Sequence, residues 1–307
     1  MPCVNCKVHL SNGLSESSVT HSKHFPIPQA FRKTLELACF DSCKKPLLFC
    51  ALFRQLVYNF SESGFPALRR LFMFSIQYEK EFDYFIGIDP SWSGRNPTAV
   101  VVLRENREIG RLSLYRYVYA KALEEIVEVV SELKRPSVIG VDAPLIVKNL
   151  QGHRENELEF LKNYPIKVPL YPVNTERYPE FFPSALYEKL NEIGFSFANN
   201  NVYEVYPHAT LAAKFFGKLF SYKRGKRKER LRKLEKIERK LSEYIEFCGT
   251  SFGCVKERED FDDALICALT VYLPTKETCL GFGDISDGIL LVPIPTSVQK
   301  EQREDIQ

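Results

Sequence analysis

FDYFIGIDPS, residues 82–91, is an almost unbroken apolar run that stops at a carboxylate, Asp89, and is closed by Pro90. A run this short, bounded by turn residues, reads as a strand buried on both faces. The same design returns in SVIGVDAPL, residues 137–145, where Gly140 and Val141 precede Asp142. Between the two lie strands over Thr98–Leu103 and Gly110–Tyr117, joined by a polar turn around Asn106. An amphipathic helix over Lys121–Lys134 follows, with Leu123, Ile126, Val127, Val130 and Leu133 on one face, and ends before Pro136. Such a helix crosses over to lay the fourth strand parallel to the first. Asp89 and Asp142 then emerge side by side at the carboxyl ends of neighbouring strands, where open α/β sheets bind ligands.

The β-β-β-α-β order resembles the ribonuclease H-like core. The expectation is an α/β domain over residues 81–295, with a mixed five-stranded sheet flanked by helices. Gln151–Tyr178 reads as an irregular insertion, and five prolines fall between Pro165 and Pro183. Ser184–Ile193 reads as a short helix and Val202–Tyr206 as the fifth strand. Ala209–Phe216, Lys226–Phe247 and Asp262–Leu273 are predicted helices, the last opening on an aspartate. Ile289–Pro293 is expected to be an edge strand, and residues 296–307 a disordered tail.

Residues 1–80 read differently. They hold ten Lys/Arg against five Asp/Glu, leaving 32 against 34 in the rest of the 307-residue chain, so a net charge of +3 places no strong field on the main domain. Cys3, Cys6, His9, Cys39 and Cys43 are spaced too loosely for a zinc knuckle. Met73, the second of two methionines, stands shortly before the first strong strand, and translation is expected to begin there, with the upstream extension outside the native protein. The nine cysteines form no disulfide framework and no secretory signal is read, so a cytoplasmic protein with reduced thiols is expected. Pro46–Phe60 is short and interrupted by Arg54, so no membrane span is expected.

Two carboxylates held together repel unless a cation sits between them or one takes a proton. Mg²⁺ or Mn²⁺ suits hard oxygen ligands of this kind. The plain alternative is that each Asp only starts a turn before proline. A third acid comes from DFDDALICAL, where Asp260 and Asp263, spaced i, i+3, share a face and Asp262 turns aside. There the alternative is a helix N-cap. Glu204, inside the apolar VYEVYPHATL, is a further candidate carboxylate. The run YKRGKRKERLRK, with Lys223, Lys226 and Arg230, is the densest charge in the chain and suits phosphates, although a solvated helix accounts for its later part. Arg154 is placed to reach the same cleft.

In the order GIDPSW, GVDAPL with Arg154 and Glu157, EVYPHATL, YKRGKRKERLRKL and DDALICALTVYL, the stretch Phe82–Leu273 resembles the domain-of-unknown-function 429 family, predicted nucleases of the ribonuclease H-like superfamily. The resemblance implies acidic roles for Asp89, Asp142 and Asp263 and a site role for Glu204, Lys223 and Arg230. It implies a metal-dependent nuclease with a nucleic-acid partner, RNA or DNA. Two alternatives stay open: an actin-like nucleotide-binding fold, for which SWSGRNPT is a poor phosphate loop, and a non-catalytic nucleic-acid or protein binder on the same fold. Oligomeric state is not legible.

Overall fold

The computed structural model describes residues 74–78, 80–133, 135–247 and 250–296. In chain order the elements are β1 Phe74–Ile76, β2 Tyr84–Asp89, β3 Thr98–Asn106, β4 Arg111–Ala120, α1 Leu123–Ser131 and β5 Ser137–Val141. Next come α2 Glu155–Asn163, α3 Phe182–Glu192, β6 Val202–Val205, and α4 Pro207–Leu211, which continues as a π-helical turn, Ala212–Phe216. The chain ends with α5 Arg227–Leu241, β7 Ile245–Glu246, α6 Val255–Tyr272, β8 Cys279–Asp284 and β9 Gly288–Pro293. The zinc-knuckle cysteines, Met73 and most of the C-terminal tail lie outside the described residues.

One nine-stranded sheet runs in the order β1-β8-β9-β6-β5-β2-β3-β4-β7. Its contiguous centre, β6-β5-β2-β3-β4, is the expected five-stranded ribonuclease H-like core. β2 pairs with β3 antiparallel and with β5 parallel, so α1 makes the crossover read from the sequence. The extra strands correct the expected count. β9 is interior, parallel to β6 and antiparallel to β8, with all six residues buried, rather than an edge strand. β8 escaped the sequence reading because Gly281 and Gly283 weaken a strand signal. β1, from the range assigned to the extension, pairs antiparallel with β8.

Three helical readings are also corrected. α2 lies inside the segment expected to be irregular, and α5 stops at Leu241, leaving Ile245–Glu246 to pair with β4. α6 begins at Val255, so Asp262 and Asp263 sit well inside it; Cys254 takes the cap position.

The approach of α6 to the sheet follows from two glycines. Gly87 and Gly140 are register partners in β2 and β5. A Cβ at Gly87 would stand 1.7 Å from the Ala264 carbonyl oxygen, and one at Gly140 2.8 Å from that of Cys267. Only residues without side chains let the helix backbone lie this close. Residues i and i+2 share a strand face, so Asp89 and Asp142 point toward the same helix. Among the described residues no helix is long and apolar enough to cross a membrane.

Candidate functional site

Where β2 and β5 end beneath α6, Asp89, Asp142 and Asp263 meet. One carboxylate oxygen from each lies within 4.8 Å of the other two. The Asp142 N–H donates to the Ile88 carbonyl at 2.9 Å, which continues the β5–β2 pairing to the site itself. Asp263 is fully buried. Its carboxylate is held from two sides, by the Tyr222 hydroxyl and by the Lys223 ammonium at 2.5 Å.

The electrostatics are those of crowded like charges. Burial, then Asp263 and Asp142, push the Asp89 carboxyl well above its ordinary range. Asp142 is raised to about 7, chiefly by burial; Lys223 pulls it down while Asp263 and Asp260 push it up. Lys223 at Asp263 and Lys256, which is paired with Asp260, are thus outnumbered by the converging carboxylates. All-oxygen donors on three separate elements, short of countercharge, fit a hard divalent cation such as Mg²⁺ or Mn²⁺.

A sequence profile of the family described as protein of unknown function (DUF429) matches residues 87–284, a span that contains all three aspartates. The chain belongs to that family. No curated protein matches it. A solved structure, Thermus thermophilus RuvC, is similar at 15% identity and a TM-score of 0.33, covering 62% of this chain and 94% of its own. The strand order, not this similarity, carries the fold.

The remaining candidate residues of this DUF429 chain fall in different places. Asp260, one turn before Asp263, ion-pairs with Lys256, and its carboxyl is raised above its ordinary range, chiefly by burial. Asp262 turns aside as expected; it is fully buried, and its carboxyl is raised well above the ordinary range by burial and by Glu238. Glu204 does not join the cluster. It takes a bidentate pair from Arg154, at 2.8 and 2.8 Å, and the Leu145 N–H at 2.7 Å. Arg154 also donates to Glu157 and to the carbonyls of Ile146 and Asp287, all at 3.1 Å. The pair thus ties β6 to α2 and to the β8–β9 turn. Arg230 donates to Glu259 at 2.7 Å, joining α5 to α6. Lys226 is exposed, and its carbonyl accepts from Glu229 and Arg230 in the first turn of α5.

Sequence reasoning missed two groups. Tyr222 only opens a charged run in the sequence, yet it is buried and its hydroxyl holds Asp263. His208 packs between Tyr206 and Tyr222, at centroid distances of 5.5 and 4.8 Å, and burial lowers its basicity. A cavity of about 320 Å³ adjoins Asp142, with walls drawn from segments far apart in the chain.

Proposed function

We propose that this protein is a metal-dependent nuclease that hydrolyses phosphodiester bonds at the Asp89–Asp142–Asp263 cluster. The convergence of three carboxylates within 4.8 Å of one another supports this reading most directly. Asp89, Asp142 and Asp263 would hold the ion, with Asp260 beside them. A bound Mg²⁺ or Mn²⁺ supplies an activated water and a countercharge for the oxygens of the scissile phosphate.

The chain's own residues do the rest. Tyr222 and Lys223 hold Asp263 in one orientation. The exposed stretch Arg224–Lys228, which includes Lys226 and contains no acid, draws the phosphate backbone toward the cluster, and that attraction weakens with salt. Arg154 and Arg230, each engaged with a glutamate, are positioning residues. They keep β6, α2, α5 and α6 in place around the acids. The cysteine pattern supports a cytoplasmic setting for this activity.

The test is Mn²⁺-dependent cleavage of a panel of RNA, DNA, hybrid and branched substrates by wild type and Asp142→Asn. The expected result is a fall of at least about a hundredfold in the variant, the scale on which loss of one preorganised electrostatic group shows. Equal cleavage by both proteins rejects the mechanism. Nucleic-acid binding without cleavage in either protein identifies a non-catalytic binder.

A further inference from the structure

The cavity beside Asp142 shares that residue with the carboxylate cluster, so whatever fills it lies next to the acids. Three aromatic side chains line it, Trp92, Tyr171 and Tyr206, together with the flat apolar surfaces of Pro144 and Leu170 and the exposed guanidinium of Arg224. Trp92 and Tyr206 are set by their contacts before any ligand arrives. Tyr178 and Phe181 stand edge-on to Trp92 at 5.5 and 5.7 Å, and the Trp92 carbonyl accepts from the Phe182 N–H. The Tyr206 hydroxyl donates to the Pro169 carbonyl at 2.5 Å. Arg177 lies 5.3 Å over the Tyr171 ring. Fixed rings lose little freedom on binding, which favours a flat partner.

Most of the polar capacity inside is already spent. Glu204, Glu157 and Arg154 satisfy one another. The groups left to the cavity are π faces, apolar walls, a cation at Arg224 and, where the cavity meets the cluster, the Asp142 carboxylate. That combination selects a planar heteroaromatic group joined to an anion: the base stacks, and its phosphate is drawn to the basic side. A volume of about 320 Å³ suits one nucleotide unit and is far too small for paired, stacked strands.

We propose that this cavity takes one unpaired nucleobase of a nucleic-acid strand, so that the substrate class is single-stranded or locally unpaired nucleic acid. The inference rests on the nuclease reading for the fate of the adjoining phosphate, but not for the seating of the base. A base held here puts its own sugar–phosphate beside Asp142. A fully paired duplex must first release that base, which disfavours it as a substrate.

Trp92 is the single tryptophan of the chain and so reports the cavity directly. The experiment titrates the full-length protein in EDTA with a short single-stranded oligonucleotide and with a blunt duplex of the same sequence. Trp92 fluorescence is followed, and affinity is read by anisotropy of the labelled strand. The expected result is quenching by the single strand, with affinity at least about tenfold above that for the duplex. Tyr171 is 57% exposed, so Tyr171→Ala leaves the core intact. It should weaken single-strand binding about tenfold, and Tyr171→Phe should restore it.

Equal affinity for duplex and single strand, or an unchanged affinity in Tyr171→Ala, overturns the proposal. Ring-independent binding in a protein whose cleavage still depends on Asp142 overturns the cavity assignment and leaves the nuclease reading standing. Ring-dependent single-strand binding in a protein that never cleaves does the reverse.

Discussion

Asp142 and Glu204 stand at the ends of adjacent parallel strands, β5 and β6, and meet opposite electrostatic fates. Glu204 is buried but fully compensated, with both oxygens on Arg154 and a backbone N–H donating as well. Asp142 faces Asp89 and Asp263, and of the three only Asp263 makes an ion pair among the described residues, with Lys223. A buried acid matched by a planar guanidinium ties elements together. Acids gathered in excess of their cations are strained until a proton or a metal joins them. Direct pairing separates the tie from the site: Arg154 meets both oxygens of Glu204, whereas Asp89 and Asp142 are half-buried beside Asp263.

The largest break in that comparison is at the tie. Arg154→Met leaves Glu204 and Glu157 buried without their countercharge. It should lower unfolding free energy by about 3–5 kcal/mol in a denaturant titration. Adding Glu204→Leu should recover much of the loss, and failure to recover it would show that the pair does more than neutralise itself.

Gly87→Ala is expected next. Its methyl group meets the Ala264 carbonyl, so α6 must shift, at a cost of about 3 kcal/mol, the upper end for overpacking. Because α6 carries Asp263, the rise in Tm on adding Mn²⁺ should shrink in the same variant. A full Mn²⁺ shift in a destabilised Gly87→Ala protein would show that the site tolerates a displaced helix.

The smallest and most diagnostic effect is the pH dependence of the metal-free protein. Asp142 is raised to about 7 in the folded state, above an unfolded value of about 4. The native state therefore binds more protons in that window. The contribution is complete below pH 4 and is lost as pH rises through about 7. Stability in EDTA should fall across this range, with Asp142 contributing no more than about 1.4 kcal/mol per pH unit and the raised Asp89 and Asp262 adding to the slope. Asp142→Asn should flatten the slope and, after solvent screening, be more stable than wild type at pH 8 by about 1–2 kcal/mol. Mn²⁺ should stabilise wild type more at pH 8 than at pH 5, because it competes with the proton. A wild-type slope unchanged in the variant would remove Asp142 from the titrating cluster.

Much of the site could be read from local pattern. The alternation of strand faces, the Gly-x-Asp spacing and the crossover rule place Asp89 beside Asp142 without any coordinates. The i, i+3 spacing in DFDDALICAL puts Asp260 and Asp263 on one helix face, although the helix starts at Val255 and neither aspartate is its N-cap. The readings that changed share a cause. β8 carries glycines that weaken a strand signal, α2 lies in a segment read as polar, and β9 became interior only because β8 pairs beyond it.

The sequence alone determined the sheet core and its two strand-end aspartates, because strand and crossover geometry are local and periodic. Only the tertiary structure decided which acids are neutralised. Arg154 reaches Glu204 across fifty residues, and Lys223 and Tyr222 reach Asp263 across about forty. The aromatic cavity likewise takes its walls from residues 92, 144, 171 and 206. Charge compensation and concave shape depend on which side chains end up in contact, and no periodicity along the chain records that.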